Sequence, residues 1–379
     1  MRIAAYNLEN LFDRPRAFDD DQPADRHDAL KQYAKLNGLF EKTSYSGTNK
    51  QEMLRLMDLL GILNENKGPY VLLRKIRGRI IRRPRDRTKA REIVANGRVD
   101  WVGWCELRTA AIRDTAIMNT GRVIRDMNAD ILAVVEAESR PVLQEMNRLI
   151  LPQVGADRYP NVMIIDGNDQ RGIDVGIMTK AGYPIGVMRS HVHDMKPDGH
   201  PIFSRDCPEY EVTTPSGDVV WVIPNHFKSK YGGNDAASQE KRRAQAQRTA
   251  EIYQRLRDEG YKYITVLGDL NDTPDSIPLS PLLSTDLKDA SDHENFSKVE
   301  FRANNGHQGI GTYGLGNDSN KIDYLLLSPA LYDRMQNGGI FRKGAWPGSS
   351  PRRWGVYPEL NEKRDAASDH HAIYADIDV

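Results

Sequence analysis

The stretch Asp130-Ile131-Leu132-Ala133-Val134-Val135-Glu136 decides the fold. Five apolar residues in a row, with no polar alternation, read as a strand covered on both faces, the environment found inside a layered α/β protein. A carboxylate, Glu136, follows the strand directly. Strand ends at one rim of a sheet converge in space, and layered α/β proteins build their sites there.

Strand, loop and helix alternate from this stretch to the C-terminus. Val162 to Ile165, Ile173 to Met178, Tyr210 to Thr213, Val219 to Pro224, Tyr263 to Leu267, Ile322 to Leu327 and Ala372 to Asp376 are further candidate strands. Ser216-Gly217-Asp218 joins two of them as a hairpin, and Ala236 to Asp258 is the clearest long helix. At the N-terminal end, Arg2 to Leu8 reads as a buried strand entering a turn. Hairpins together with crossovers imply mixed sheets with helices outside, an α/β sandwich in four layers.

Between the first strand and Asp130 the texture differs. Ala29 to Lys42 and Gln51 to Leu63 carry helical periodicity. From Val71 the chain becomes strongly basic, with Arg74, Lys75, Arg77, Arg79, Arg82, Arg83, Arg85, Arg87, Lys89 and Arg91 opposed only by Asp86. Asn96-Gly97 is a type I′ turn signal, so this segment is expected to be a basic β-hairpin ending in Trp101 and Trp104, followed by a helix from about Thr109 to Met127.

Composition sets the outer bounds. With 39% hydrophobic and 28% charged residues, the 379-residue chain lies in the soluble globular range. Its apolar runs fall far short of the roughly 20 residues of a membrane span. The N-terminus turns polar too early for a secretion signal, so a cytoplasmic location is expected. Two cysteines, Cys105 and Cys207, exclude a disulfide scaffold and a cysteine zinc site. Fifty-three basic residues balance 53 acidic ones, so any attraction to a polyanion must be local.

Six polar clusters sit at strand ends. They are Asn7 with Glu9, Glu136, His226 with Lys228, Asp269 with Asn271, Asp323, and Asp369 with His370. Each has a plain structural alternative: Asp269 to Asp272 is turn-like, Glu136 is a possible cap for a helix near Pro141, and His226 suits a core. Asp323 inside an apolar strand needs a partner to offset desolvation, and His370 is a candidate. Asn7, Glu9, Glu136 and Asp369 are hard oxygen donors of the kind Mg²⁺ takes, and Mn²⁺ fits the same set. Together the clusters form the parts of a phosphoryl-transfer site.

In this order they resemble the endonuclease/exonuclease/phosphatase superfamily with the DNase I-like fold, over Met1 to Phe12 and about Val123 to Val379. The resemblance implies a single domain over residues 1–379 with a four-layer α-β-β-α sandwich, and the large insertion at 13–122 departs from the family's pattern. It implies that Glu136, Asn7, Glu9 and Asp369 hold the metal, with Glu136 the principal ligand. Asp269 would activate water, Asn271 and His226 would hold the scissile phosphate, and His370 paired with Asp323 would serve as acid/base partner or phosphate ligand. Val135, Glu9 and Ala372 stand where relatives commonly carry Gln, Asp and Pro.

The expected activity is metal-dependent phosphodiester hydrolysis by in-line attack of water, with nucleic acid as substrate and DNA placed ahead of RNA. Arg171 and Lys228, with His226 and Asn271, are the candidate substrate contacts, and Tyr231-Gly232-Gly233 a loop able to close over the substrate. A phosphatase or phosphodiesterase for a small or lipid-linked ester is the alternative enzyme. A catalytically silent nucleic-acid-binding module is the alternative outside enzymes. The basic segment itself reads either as a nucleic-acid surface or as a charged edge that blocks aggregation.

Overall fold

A computed structural model describes residues 1–9, 11, 23–86, 89–108, 114–169, 172–230, 235–298, 309–349 and 352–379. Strand β1 (Arg2–Asn7) is followed by helices α1 (Pro23–Phe40) and α2 (Gly47–Leu59), then strands β2 (Val71–Gly78), β3 (Ile81–Arg82), β4 (Glu92–Ile93) and β5 (Trp101–Leu107). Next come α3 (Asp114–Met127), β6 (Ile131–Ala137), α4 (Arg140–Glu145), α5 (Leu151–Gln153), β7 (Asn161–Ile164), β8 (Asp174–Thr179) and β9 (Ile185–Arg189). They are followed by β10 (Glu209–Thr213), β11 (Val219–His226), α6 (Ala236–Asp258), β12 (Tyr263–Asp269), β13 (Lys288–Asp289), β14 (Phe296–Ser297), β15 (Asp323–Leu327), β16 (Met335–Phe341) and β17 (Ala372–Ile377). Met1–Phe12 with Ile112–Val379 make one compact unit, and Asp13–Ala111 make a second.

The first unit is the expected sandwich. One sheet runs β14-β16-β17-β1-β6-β8-β7 and the other β13-β15-β12-β11-β10-β9. Period-two alternation sends Ile3, Ala5, Ile131 and Ala133 of the first sheet inward, where they pack with Val220, Val222, Leu267 and Leu325 of the second. Ala4, Tyr6, Leu132 and Val134 point to the other side, among Val123, Ile124 and Met127 of α3. Strand β6 is thus buried on both faces, which is why it lacks polar alternation. On the far side of the second sheet, Trp221, Ile223, Ile264 and Val266 meet Ala246, Ala250, Tyr253 and Leu256 of α6, spaced on one helical face. Asp235 caps that helix by accepting from Ser238 N at 2.7 Å.

Pairing brings the chemistry to one rim. β1 and β6 run parallel with Asn7 opposite Val135, and β11 and β12 run parallel with His226 opposite Asp269. β15 runs antiparallel to β12, so its first residue, Asp323, is opposite Asp269. The strand β16 was absent from the sequence expectation. Its Gly338 is required because a Cβ there would stand 2.9 Å from the Tyr374 carbonyl oxygen and 2.3 Å from Met335 Cε.

The second unit has a core of its own, with Phe40, Met53, Leu56, Val71, Leu73, Trp101 and Cys105 buried together. Its ribbon pairs differently from the expected hairpin: β5 pairs with β2 and β4 pairs with β3, so Asn96-Gly97 does not connect paired strands. Gly97 answers a different demand, since a Cβ there would lie 1.9 Å from the Thr43 carbonyl oxygen. The helix expected from Thr109 begins, among the described residues, at Asp114 and packs in the first unit. No helix among the described residues is long and apolar enough to cross a membrane.

Candidate active site

Asp269 is the hub of the rim. Its Oδ2 accepts from Asn7 Nδ2 at 3.3 Å and lies 3.7 Å from His226 Nε2 and 3.9 Å from His370 Nε2. Its Oδ1 accepts from Asn271 N at 2.8 Å. Gly268 and Asp269 close strand β12, and only Asn271 and Asp272 form the bend beyond it, so the turn-like reading of Asp269 to Asp272 holds for its last two residues alone. Asn271 adopts φ 54° and donates from Nδ2 to Phe227 O at 3.2 Å.

Asn7, Glu9 and Asp369 form a chain of their own. Asn7 Oδ1 accepts from Glu9 N at 2.9 Å, and Glu9 Oε2 accepts from Asp369 N at 2.9 Å. Glu136 is the bulged residue where the β6–β8 register shifts, with φ 59°, and its Oε1 lies 3.4 Å from His226 Nε2. It is not the cap of α4, because Ser139 takes that position and accepts from Val142 N. Glu9, with φ 51°, Glu136 and Asn271 are three of the four non-glycine residues with left-handed backbone among the described residues. Such conformations cost free energy and persist where a site demands them.

His370 and Asp323 form a buried pair, with Nδ1 and Oδ2 2.9 Å apart. Burial disfavours the imidazolium, but Asp323, Asp269 and Asp369 outweigh it and hold His370 well above the usual histidine range. Burial, reinforced by Asp323 and Glu136, pushes Asp269 up to about 8, while His370 and the Asn271 N–H pull the other way. The neighbouring His371 goes in the opposite direction, lowered by burial and by Arg342, and pairs its Nε2 with Gly314 O at 3.1 Å.

Oxygen donors for a hard cation are present in Asn7, Glu9, Glu136 and Asp369. Asp369 Oδ1 is buried, accepts no hydrogen bond among the described residues and has His370 Nε2 3.9 Å away, so a hard cation could still take it as a ligand. Among the histidine, cysteine and acidic side chains of the described residues, only Asp269, Asp323 and His370 form a group of three with ligand atoms within 4.8 Å of one another, so Glu9, Glu136 and Asp369 are not drawn that close together. That trio is a poorer cation site, because His370 Nδ1 is already engaged by Asp323 Oδ2 at 2.9 Å.

The outlying residues are held in various ways. Arg171 and the Tyr231-Gly232-Gly233 loop lie outside the described residues. Lys228 is half-buried, and its backbone is fixed by Gln245, which accepts from Lys228 N at 2.8 Å, and by Arg242, which donates to its carbonyl at 3.1 Å. Lys230 pairs with Asp272. Sequence reasoning missed Thr312, whose Oγ1 accepts from Asp323 N at 2.9 Å and Ile322 N at 3.1 Å and so anchors the start of β15. It also missed Tyr313, whose ring meets His370 edge-on at 5.0 Å. The only signal was the polar pair between Gly311 and Gly314, which names no partner.

Several solved structures are similar to this chain. The mannosyl-6-phosphatase of Bacteroides thetaiotaomicron is 15% identical over 70% of this chain and 90% of that one, with a TM-score of 0.49. Truncated TDP2 of Caenorhabditis elegans is 16% identical over 69% and 90%, with a TM-score of 0.45. The human Nocturnin catalytic domain is 14% identical over 71% and 88%, with a TM-score of 0.47. No curated protein matches the chain in sequence. Residues 92–343, more than half of the chain, match the model described as the Endonuclease/Exonuclease/phosphatase family. With that match and a two-sheet sandwich carrying its polar residues at one rim, the chain belongs to the endonuclease/exonuclease/phosphatase family, whose members hydrolyse phosphate esters.

Proposed function

We propose that the protein is a Mg²⁺-dependent phosphodiesterase acting on nucleic acid, with DNA the first substrate to test. The observation that carries this reading is the position of Asp269, which joins Asn7 of one sheet to His226 of the other and faces His370. A carboxylate of raised proton affinity among amide and imidazole donors suits the removal of a proton from water beside a phosphate. His226 and Asn271 are the groups to hold phosphoryl oxygens. His370, kept charged by Asp323, donates a proton or hydrogen bond to the oxygen that gains charge.

Glu136, Asn7, Glu9 and Asp369 would hold the cation, which when bound supplies Lewis-acid stabilisation of charge on the phosphoryl and leaving oxygens. Local charge supports a polyanionic substrate. Residues 13–111 carry 21 basic and 14 acidic side chains, whereas the rest of the chain carries 32 and 39. The test is nuclease turnover of Asp269→Asn and His370→Ala, each with its fold verified by circular dichroism. A loss of at least about 100-fold in each is expected, and near-normal turnover in either contradicts the assignment.

A further inference from the structure

The β2–β5 ribbon has two unlike faces. Its register sets Cys105 opposite Leu73, and Trp104 opposite Arg74. Directly opposed residues share a face, so Leu73, Cys105 and Trp101 lie on the side that joins the second unit's core, where Trp101 is 0% exposed and stacks edge-on against Phe40 at 4.7 Å. Trp104 lies on the other side and is 43% exposed. Beyond the bulge at Ile76, Arg77 pairs with Val102 and returns to the Trp104 face. Leu72, Arg74, Arg77, Val102, Trp104 and Glu106 therefore make one outward surface, an aromatic ring in mid-ribbon with a guanidinium across the strand and another toward its end.

Charge selects the partner. Residues 67–108 contain 13 basic and 4 acidic side chains, and ten of the 13 are arginines. Some are committed within the fold: Arg83 donates to the carbonyls of Ile62, Leu63 and Glu65, Arg108 donates to Gly68 O, and Arg82 pairs with Glu92. On the outward face itself, Arg74 pairs with Glu106, and Arg77 donates from one Nη to Val99 O at 3.0 Å, which orients its guanidinium and leaves its other N–H groups for a ligand. Lys75, opposite Gly103, lies on the Cys105 side of the ribbon and adds to the local positive charge without belonging to the Trp104 face. The cations of β2, Arg74, Lys75 and Arg77, follow an extended strand, and arginine dominates, whose planar fork matches phosphate. Trp104 sits level with Arg74 instead of at the ribbon's tip, the placement for stacking on a base rather than for insertion between lipids.

We propose that this outward face binds a single nucleic-acid strand, with a base stacked on Trp104, a phosphate on Arg77, and a second phosphate taking the place of Glu106 on Arg74. The proposal rests on the nuclease reading for the identity of the polyanion, but its test does not. Binding of fluorescent oligodeoxythymidylate to the full chain is followed by anisotropy in EDTA over a range of KCl, with anionic phosphatidylglycerol vesicles as a parallel arm. Trp104→Ala should weaken oligonucleotide binding about 5- to 100-fold and Trp104→Phe should restore most of it. Arg77→Gln should reduce the salt slope by about one phosphate contact. Hydrolysis of bis(p-nitrophenyl) phosphate with Mg²⁺ should be unchanged in all three, which also reports an intact fold.

No binding by the unaltered chain, unchanged affinity in Trp104→Ala, or vesicle binding that depends on the exposed Ile76 and Val99 in place of oligonucleotide binding would each overturn the proposal. Oligonucleotide that binds through Trp104 but is not cut when Mg²⁺ is added leaves this surface standing and removes the nuclease reading. Cutting with full affinity in Trp104→Ala does the reverse.

Discussion

Asp323 Oδ2 and His370 Nδ1 lie 2.9 Å apart in a buried pair that closes the rim between β15 and β17. The pairing fixes Nδ1 toward the carboxylate and leaves Nε2 toward Asp269. An imidazole so held is oriented and kept charged at once.

Asp323→Asn removes that charge while preserving shape. His370 should then titrate at lower pH, because the largest contribution holding its proton against burial is gone. The alkaline limit of activity, set by loss of the His370 proton, should move to lower pH, and turnover at its optimum should fall about 10- to 1000-fold. Imidazole NMR and the pH profile of kcat/KM check this together. An unmoved alkaline limb would remove His370 from the acid role.

Thr312 acts through Asp323. Its hydroxyl oxygen accepts two backbone N–H groups, so Thr312→Val leaves two buried donors unpaired and should cost about 1–3 kcal/mol of stability along with activity. Thr312→Ser keeps the oxygen and should restore the pH profile. A valine variant with unaltered stability and profile would show that β15 is positioned by other means.

Asp174 gives a pH-dependent stability. Burial raises it most, the Gly167 N–H at 2.8 Å opposes this, and Asp166 and Asp169 raise it further, to about 6. Its folded-state value lies above the unfolded one, so the native state binds the extra proton between pH about 4 and about 6. Stability from this group is complete below that window and is lost as pH rises through it. Asp174→Asn, which keeps the acceptor for Gly167, should gain on the order of 1 kcal/mol relative to the unaltered chain by pH 7, after allowance for solvent screening, and nothing at pH 4. Thermal unfolding at the two pH values decides the matter, and equal differences at both would mean that Asp174 is not desolvated.

Strand-end polarity was legible because burial on both faces leaves few positions for a charge. Asn7, Glu136 and Asp269 stand out against apolar runs, and the structure finds them at one rim. Asp323 was legible for the same reason, as an acid needing a partner. The ribbon was misread because Asn96-Gly97 has two physical explanations, a tight turn or a close backbone approach, and only tertiary structure shows that Gly97 faces Thr43 O. β16 escaped notice because Gly338 and Gly339 erase the alternation that marks a strand. Thr312 was invisible because its partners are backbone groups, which every residue has.

The most direct test of the central claim is cleavage of supercoiled plasmid, linear duplex, single-stranded DNA and RNA beside a generic phosphomonoester, with Mg²⁺, Mn²⁺ or EDTA, by the unaltered chain and by Glu136→Ala. Metal-dependent cleavage of nucleic acid that EDTA abolishes and Glu136→Ala lowers by at least about 100-fold is the predicted result. Turnover of the monoester alone, or nucleic-acid cleavage indifferent to Glu136, would contradict the account.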